Sequence, residues 1–365
     1  MKILVDLAHP AHVHLFKHAI WELQADGHEC TVTARDKDIL LALLDAYGFP
    51  YETLSKAGKG VSGVACEMVW RDLNLLRAVR RFSPDLMFGI SPYITHVGTL
   101  LGIPSLFFTD TEHASISNSI TFPFADVVCT PNCYRGSMKN QIRYRGYHEL
   151  AYLHPRYFTP DPAVLRAEGL SPDDTLIIMR FVGWQAAHDR GARGLSFETK
   201  LSAVEEFAKR GRVLITSEKP LPPEFEPYRI SVGPEQVHHL MAYATLLYGE
   251  SATMASEAAV LGTHAIFCDF AGRGYTDEEE SKYGLVANFK LDPESQRRSV
   301  EKAVEWLDDP RLRSEGQRKR RLLLADTIDV TRFIVWLAEQ YPESRRLMQE
   351  RPEYQETFRT QGIAV

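Results

Sequence analysis

Strand-length apolar runs alternate with helical patterns along this chain, and the alternation comes twice. KILVDL (2–7) is followed by a helix starting near Pro10, ECTVTA (29–34) by a helix with Asp36 as its predicted N-cap, and YETL (51–54) is a short strand. A glycine-rich loop from Lys56 to Gly63 leads into a long helix predicted to reach about Phe82, and DLMFGI (85–90), SLFFTD (105–110) and DVVCTP (126–131) complete the first set. A second set begins after residue 170 with TLIIM (175–179), RVLITS (212–217), YRISV (228–232), TLLYG (245–249) and HAIFCD (264–269). Strands separated by helices pair in parallel through right-handed crossovers. The predicted class is α/β, with two Rossmann-like, doubly wound domains facing across a cleft. Open sheets of this kind bind ligands at the C-terminal ends of their strands.

The length of 365 residues also exceeds what one hydrophobic core serves. The predicted division is a first domain at 1–155, a second at 171–330 and closing helices at 331–365. LHPRYFTPDPAVL (153–165), with three prolines, reads as the linker. Residues 294–349 read as amphipathic helix, and no internal repeat or low-complexity tract is present. Net charge is −6 and the basic residues are scattered, which argues against a nucleic-acid partner. No apolar run approaches the roughly 20 residues of a membrane helix. The opening MKILVDLAHPAHVHLF meets Asp6 early and carries no cleavage pattern, so a cytoplasmic protein is expected. Cys30, Cys66, Cys129, Cys133 and Cys268 are odd in number and lie mostly in apolar runs, where cysteine acts as a small hydrophobe. Cys129 and Cys133 lack the second pair a zinc site needs.

Chemistry-bearing residues gather after predicted strands. In LLYGESATMASEAAVLG (246–262) a strand runs through a small-residue turn into a helix. Small residues let the helix N-terminal N–H groups approach a phosphate, with the hydroxyls of Ser251 and Thr253 as added donors. Ser251 as an ordinary N-cap is the competing reading. Glu257, one turn in, is placed to accept from ribose hydroxyls. In LAHPAHVHLFKH (7–18), His9, His12, His14 and His18 cluster where the first strand turns into the first helix. The i,i+4 pair His14 and His18 suits a metal, but no accompanying base completes such a motif, and substrate contact competes with packing. Asp110, Glu112 and His113 follow the strand 105–110, either as acid–base groups or as a helix cap beside a solvated glutamate. After 175–179, Arg180 and Arg193 suit phosphates, and His188 with Asp189 suits an oriented acid–base pair. Ser217 and Lys219 follow strand 212–217 and are candidates to line the same pocket. His148 and Glu149 serve equally well as hinge contacts or as site groups.

HPAHVHLFK, DTEHA, TFPFADVVCTP, GYHELAYLHP, RFVGWQAAHD, ITSEKPLP and ESATMASEAAVLG together resemble an uncharacterised prokaryotic family, the domain of unknown function 354. The match runs in order to about residue 290. That family is similar to the glycosyltransferase-B superfamily, which includes the non-hydrolysing UDP-N-acetylglucosamine 2-epimerases. The resemblance implies an N-terminal acceptor and catalytic domain, a C-terminal domain that holds most of a nucleotide-sugar, and final helices returning to the first domain. It puts Ser251, Ala252 and Thr253 on a diphosphate and Glu257 on the ribose. The epimerase glutamate falls at Glu112 and the epimerase histidine at or near His188, with Asp110 and His113 beside the former. Arg180, Ser217, His12 and His14 complete the expected binding set. The chain departs from the epimerase pattern in SPYITH (91–96), which lacks the acidic residue, and in its N-terminal histidines, which stand where the epimerases carry a basic arginine. The expected activity is transfer of a sugar from a UDP-type donor to an unknown acceptor, without cofactor or metal. A nucleotide-sugar 2-epimerase or hydrolase, or a non-catalytic nucleotide-sugar-binding protein, is the alternative.

Overall fold

The computed structural model describes residues 1–58, 60–182, 194–217 and 219–360, with 60–62, 64 and 65 by backbone alone. Twelve strands occur among them: β1 Lys2–Leu7, β2 Glu29–Asp36, β3 Tyr51–Lys56, β4 Leu86–Gly89, β5 Ser105–Phe108, β6 Val127–Pro131, β7 Gln141–Tyr144, β8 Leu176–Phe181, β9 Arg212–Ser217, β10 Leu246–Gly249, β11 His264–Cys268 and β12 Val286–Phe289. β1 to β7 form one parallel sheet in the order β3-β2-β1-β4-β5-β6-β7. β8 to β12 form a second, also parallel, in the order β12-β11-β10-β8-β9. β5, β6, β10 and β11 are buried along their whole length. Helices on both faces of a parallel sheet demand such unbroken apolar runs. The core of the second sheet centres on Ile177, Met179, Val213, Ile215 and Tyr248. In the first, Leu4 and Met87 pack against Leu75, Val79, Ile94 and Val97.

The chain divides into two compact units, Met1–Tyr152 with the described chain from 327 on, and Leu153–Asp326. These bounds differ from the predicted ones. The proline-bearing stretch 153–165 is part of the second unit rather than a free linker. There the Asp161 N–H donates to His239 Nδ1 at 2.9 Å and Phe158 packs on the His239 ring at 4.8 Å. Residues 327–330 already belong to the first unit, since the Ile328 N–H donates to the Arg145 carbonyl at 2.9 Å. Thr331 donates to the Ala151 carbonyl at 2.7 Å, and the helix Val330–Glu339 lies on the helix Pro10–Ala25.

Local differences have local causes. Asp36 ends β2, paired with Lys56 of β3, and caps no helix; the next helix begins at Leu40. The expected strand at 228–232 is a 3-10 turn, Glu226–Tyr228, followed by a lone bridge from Arg229 to Ile215, because Pro227 sets the turn where pairing would begin. β7 and β12, four residues each, were not predicted. Among the described residues no helix is long and apolar enough to cross a membrane.

Each sheet reverses its winding once, between β1 and β4 in the first and between β8 and β10 in the second, and such switch points are where open α/β sheets hold ligands. A glycine sits at each. A Cβ on Gly89 would lie 2.6 Å from the Asp6 carbonyl oxygen, and one on Gly249 would lie 2.1 Å from that of Arg180. Neither contact is tolerable, so only glycine lets the neighbouring strand end approach this closely.

Candidate functional site

At the switch point of the second unit, β10 ends at Gly249 and the helix Ala252–Leu261 begins two residues later. Ser251 is its N-cap and accepts from the Met254 N–H at 3.3 Å, while the Ala255 N–H donates to the Ser251 carbonyl. Among the described residues, the N–H groups of Ala252 and Thr253 are the two that neither cap nor helix takes up, and the positive end of the helix dipole lies there. The cap and the anion site are therefore compatible. Arg180, in register with Gly249, is the penultimate residue of β8 and donates from Nη1 to Thr216 Oγ1 at 3.2 Å. Ser217 ends β9 and accepts from the Lys219 N–H at 3.2 Å.

Glu257 is buried one turn into the helix, and one carboxylate oxygen lies 2.9 Å from His238 Nε2. His238 went unnoticed in the sequence. So did Glu250, whose carboxylate accepts from the Val182 N–H at 2.7 Å and the Leu195 N–H at 2.5 Å. It also pairs with buried Lys200 at 3.2 Å. Burial pushes the Lys200 ammonium below its ordinary pKa, against the pull of Glu250. Glu250 thus ties the backbone at Val182 and at Leu195 to the start of the helix Ala252–Leu261. His188, Asp189 and Arg193 lie outside the described residues.

The first unit gathers polar groups at the C-terminal ends of β1, β4, β5 and β7. Asp6 is fully buried and accepts from Thr33 at 2.7 Å, from Arg71 Nη2 at 2.8 and 3.0 Å, and from Ser91. Arg71, also fully buried, donates to the Leu7 carbonyl at 3.2 Å and stacks over Tyr93 at 4.9 Å. An aspartate inside an apolar strand was the one available signal for this network. Beside it, Glu67 takes Arg35, Ser55 and the Gly58 N–H. Burial opposes its ionisation, but the Arg35 fork and the Gly58 and Ser55 bonds hold the carboxyl below its usual range.

Asp110 lies 3.1 Å from His148 Nδ1 and accepts from Thr111 at 2.9 Å. Burial alone would raise its pKa, yet the adjoining imidazole and the Thr111 hydroxyl hold it below the carboxylate range. His12 is half-buried at the start of the first helix and accepts at Nδ1 from the Ala8 N–H at 3.2 Å. Burial, with His9 and His148 adding to it, holds His12 well below the usual imidazole pKa despite Asp110 nearby. The structure therefore brings His12, Asp110 and His148 together. His14 is instead buried in packing, stacked on Tyr152 at 5.3 Å and 3.4 Å from the Tyr47 hydroxyl. Glu112 is half-buried and accepts from the Arg135 N–H at 3.1 Å, and His113 is exposed. Cys129 and Cys268 are buried and unbridged, and burial raises both thiols, as structural cysteines require. Among the described residues no cluster of three metal-ligating side chains occurs.

Residues 1–278 match the model of a protein family described as "Protein of unknown function (DUF354)". An uncharacterised protein of Methanocaldococcus jannaschii is 27% identical over 190 residues, 49% of this chain and 56% of that protein. A UDP-N-acetylglucosamine–N-acetylmuramyl-(pentapeptide) pyrophosphoryl-undecaprenol N-acetylglucosamine transferase of Ralstonia nicotianae is 30% identical over 169 residues, 42% of this chain and 43% of that one. The chain thus spans about half the length of the curated relatives it matches. Among solved structures, the S. aureus MnaA–UDP complex superposes with a TM-score of 0.67 at 10% identity, covering 94% of this chain and 97% of that one. The UDP-GlcNAc 2-epimerase of Neisseria meningitidis bound to UDP-GlcNAc gives 0.59 at 13%, covering 88% and 98%. A spinosyn rhamnosyltransferase complexed with thymidine diphosphate gives 0.63 at 14%, covering 93% and 100%. The fold is that of the glycosyltransferase-B proteins, with two Rossmann-like units.

Proposed function

The chain belongs to the DUF354 family, and we propose that it is a nucleotide-sugar-dependent glycosyltransferase that moves a sugar from a UDP-type donor to an acceptor hydroxyl. One observation carries this reading. The amides of Ala252 and Thr253 stand open at a helix start, at the switch point of the second sheet, with Arg180 beside them and Glu257 one turn in. Two amides, a helix dipole and a guanidinium suit a diphosphate, and they stabilise the charge that develops on it as the sugar leaves. Glu257, one turn into the helix, is placed to accept from ribose hydroxyls. Ser217 ends β9, the strand next to β8. The acid–base candidates His12, Asp110, Glu112, His113 and His148 all belong to the first unit.

Support from outside the chain is of two kinds. One partial relative is named for N-acetylglucosamine transfer, and the solved neighbours are named as complexes with UDP, UDP-GlcNAc and thymidine diphosphate. Some of those neighbours are epimerases, so donor turnover without acceptor is the competing outcome. The test is thermal stabilisation and calorimetry with UDP-, dTDP-, GDP- and CMP-sugars. A UDP-sugar should bind best, and Arg180→Ala should weaken it. If no nucleotide-sugar stabilises the parent protein, the reading is wrong; conversion of UDP-GlcNAc alone to its 2-epimer would replace transfer by epimerisation.

A further inference from the structure

β7 is an edge strand of the first sheet, and a cavity of about 1170 Å³ runs along it, lined on the other side by the helix Glu343–Glu350 and the 3-10 turn Pro352–Phe358. Every residue of its wall belongs to the first unit. Gln355 is buried between the two sides and accepts the Arg145 N–H at 2.7 Å. The volume lies just above the roughly 300–1,000 Å³ that small-molecule sites occupy.

Four cations line this cavity, Lys139, Arg143, Arg145 and Arg345. Arg145 is neutralised by Glu356 at 2.5 Å. The other three meet no carboxylate among the described residues, and Glu353 is the one acidic side chain of the wall. Arg143 donates from Nη1 to the carbonyls of Asn132 at 2.9 Å and Tyr134 at 2.8 Å, and from Nη2 to that of Gly136. Its charge is thereby fixed in place with no anion against it. Arg345 lies against the Tyr341 hydroxyl. In a chain of net charge −6, this excess of cations around one hollow is a local feature, and walls of one sign concentrate ligands of the other. Charged side chains also blunt exposed sheet edges, which accounts for a cation on β7 itself. It does not account for Lys139, on the turn before the strand, or for Arg345, which reaches the same hollow from a helix far along the chain.

We propose that this cavity binds a small polyanion, a molecule with two or more phosphate or carboxylate groups, and that Lys139, Arg143 and Arg345 are its charge partners. The Arg345 fork matches two oxygens of either group, and the Lys139 ammonium adds a movable point charge. Phe122, Ile142 and Met348 give the wall an apolar surface for the ligand's body. The site is independent of the nucleotide reading, whose anion-binding groups all lie in the second unit.

The experiment uses the full chain carrying Arg180→Ala, which disables the proposed diphosphate site of the second unit. It is titrated with pyrophosphate and with citrate at about 0.15 M salt, by calorimetry and thermal melts. One equivalent should bind, and Lys139→Gln and Arg345→Gln should each weaken it roughly ten- to a hundredfold, as loss of a charge-assisted hydrogen bond does. Lys139 is exposed and Arg345 half-buried, so the unliganded melting temperatures should stay at the parent's, which separates a lost contact from a lost fold. Binding of pyrophosphate alone marks a phosphorylated ligand, and of citrate alone a carboxylate. Should Arg180→Ala not fold, the same titrations of the parent chain and of Lys139→Gln with Arg345→Gln decide. If neither anion binds at this salt, or the doubly substituted chain binds as tightly as its parent, the cations only blunt the sheet edge and the proposal is overturned.

Discussion

The Glu257 carboxylate lies 2.9 Å from the His238 imidazole, joining the helix Ala252–Leu261 to the helix Val237–Tyr243. On the proposed reading Glu257 has two duties, one toward its own unit and one toward a bound ribose. Glu257→Ala should weaken UDP-sugar binding by about 1–3 kcal/mol and also lower the melting temperature, since it strands a buried imidazole. His238→Gln separates the two, lowering stability with little loss of affinity. Calorimetry with matched thermal melts reads both, and an unchanged affinity in Glu257→Ala would remove the ribose role.

Lys200 and Glu250 form a buried ion pair at 3.2 Å, with the two backbone amides completing the carboxylate's shell. Removing one partner of such a pair costs about 3–5 kcal/mol, because the other charge stays enclosed. Lys200→Met should destabilise the protein by that order, and Lys200→Met with Glu250→Gln by less than the sum of the single effects. Chemical denaturation measures the cycle. Additive effects would mean that the pair contributes nothing of its own.

Glu279 is fully buried, takes a hydrogen bond from Ser256 at 2.6 Å, and has its pKa raised by burial to about 8. A carboxyl with a raised native pKa binds its proton more tightly folded than unfolded. Its contribution to stability is complete below about pH 4.5, the unfolded value, and is lost as pH climbs through about 8. Melting temperature should thus fall between pH 5 and pH 8, and Glu279→Gln should flatten that slope. An identical pH profile in the variant would show that Glu279 is already ionised in the native protein.

On the proposed reading, donor binding and turnover should both survive EDTA, because the amides of Ala252 and Thr253 and the Arg180 guanidinium would meet the diphosphate without a cation. Loss of activity on chelation, restored by Mn²⁺ or Mg²⁺, would reverse this.

What was legible in the chain follows from the range over which its signals act. The alternation of apolar runs and the small-residue start at Ser251 are local, and sheet periodicity and capping chemistry fix them within a few residues. Asp6 with Arg71, Glu257 with His238 and Asp110 with His148 are separated by long stretches of chain. The packing of helices on the sheets and the order of the strands bring them together, and nothing in the intervening sequence announces the partner. Asp36 and the stretch 228–232 misled for the opposite reason. Each has a plausible local signal, a capping aspartate and a β-branched run, that the pairing of β2 with β3 and the turn at Pro227 override.

Glu112 and His148 are two acid–base candidates of the first unit, and a conservative substitution separates them. It follows β5 by only a few residues, as Asp110 does, and its resemblance to an epimerase glutamate makes it the base in that alternative scheme. Its carboxylate, however, accepts the Arg135 N–H at 3.1 Å, which ties it to the turn after β6. A glutamine there keeps an acceptor oxygen for Arg135 while abolishing basicity. If Glu112 only holds that turn, Glu112→Gln should bind the donor as the parent does and release nucleoside diphosphate within about tenfold of the parent rate. If Glu112 takes the proton, the rate should drop by roughly 10²–10⁴-fold at unchanged donor affinity. Single-turnover rates of Glu112→Gln and His148→Gln, measured side by side at saturating donor, assign the proton to one carboxylate or one imidazole.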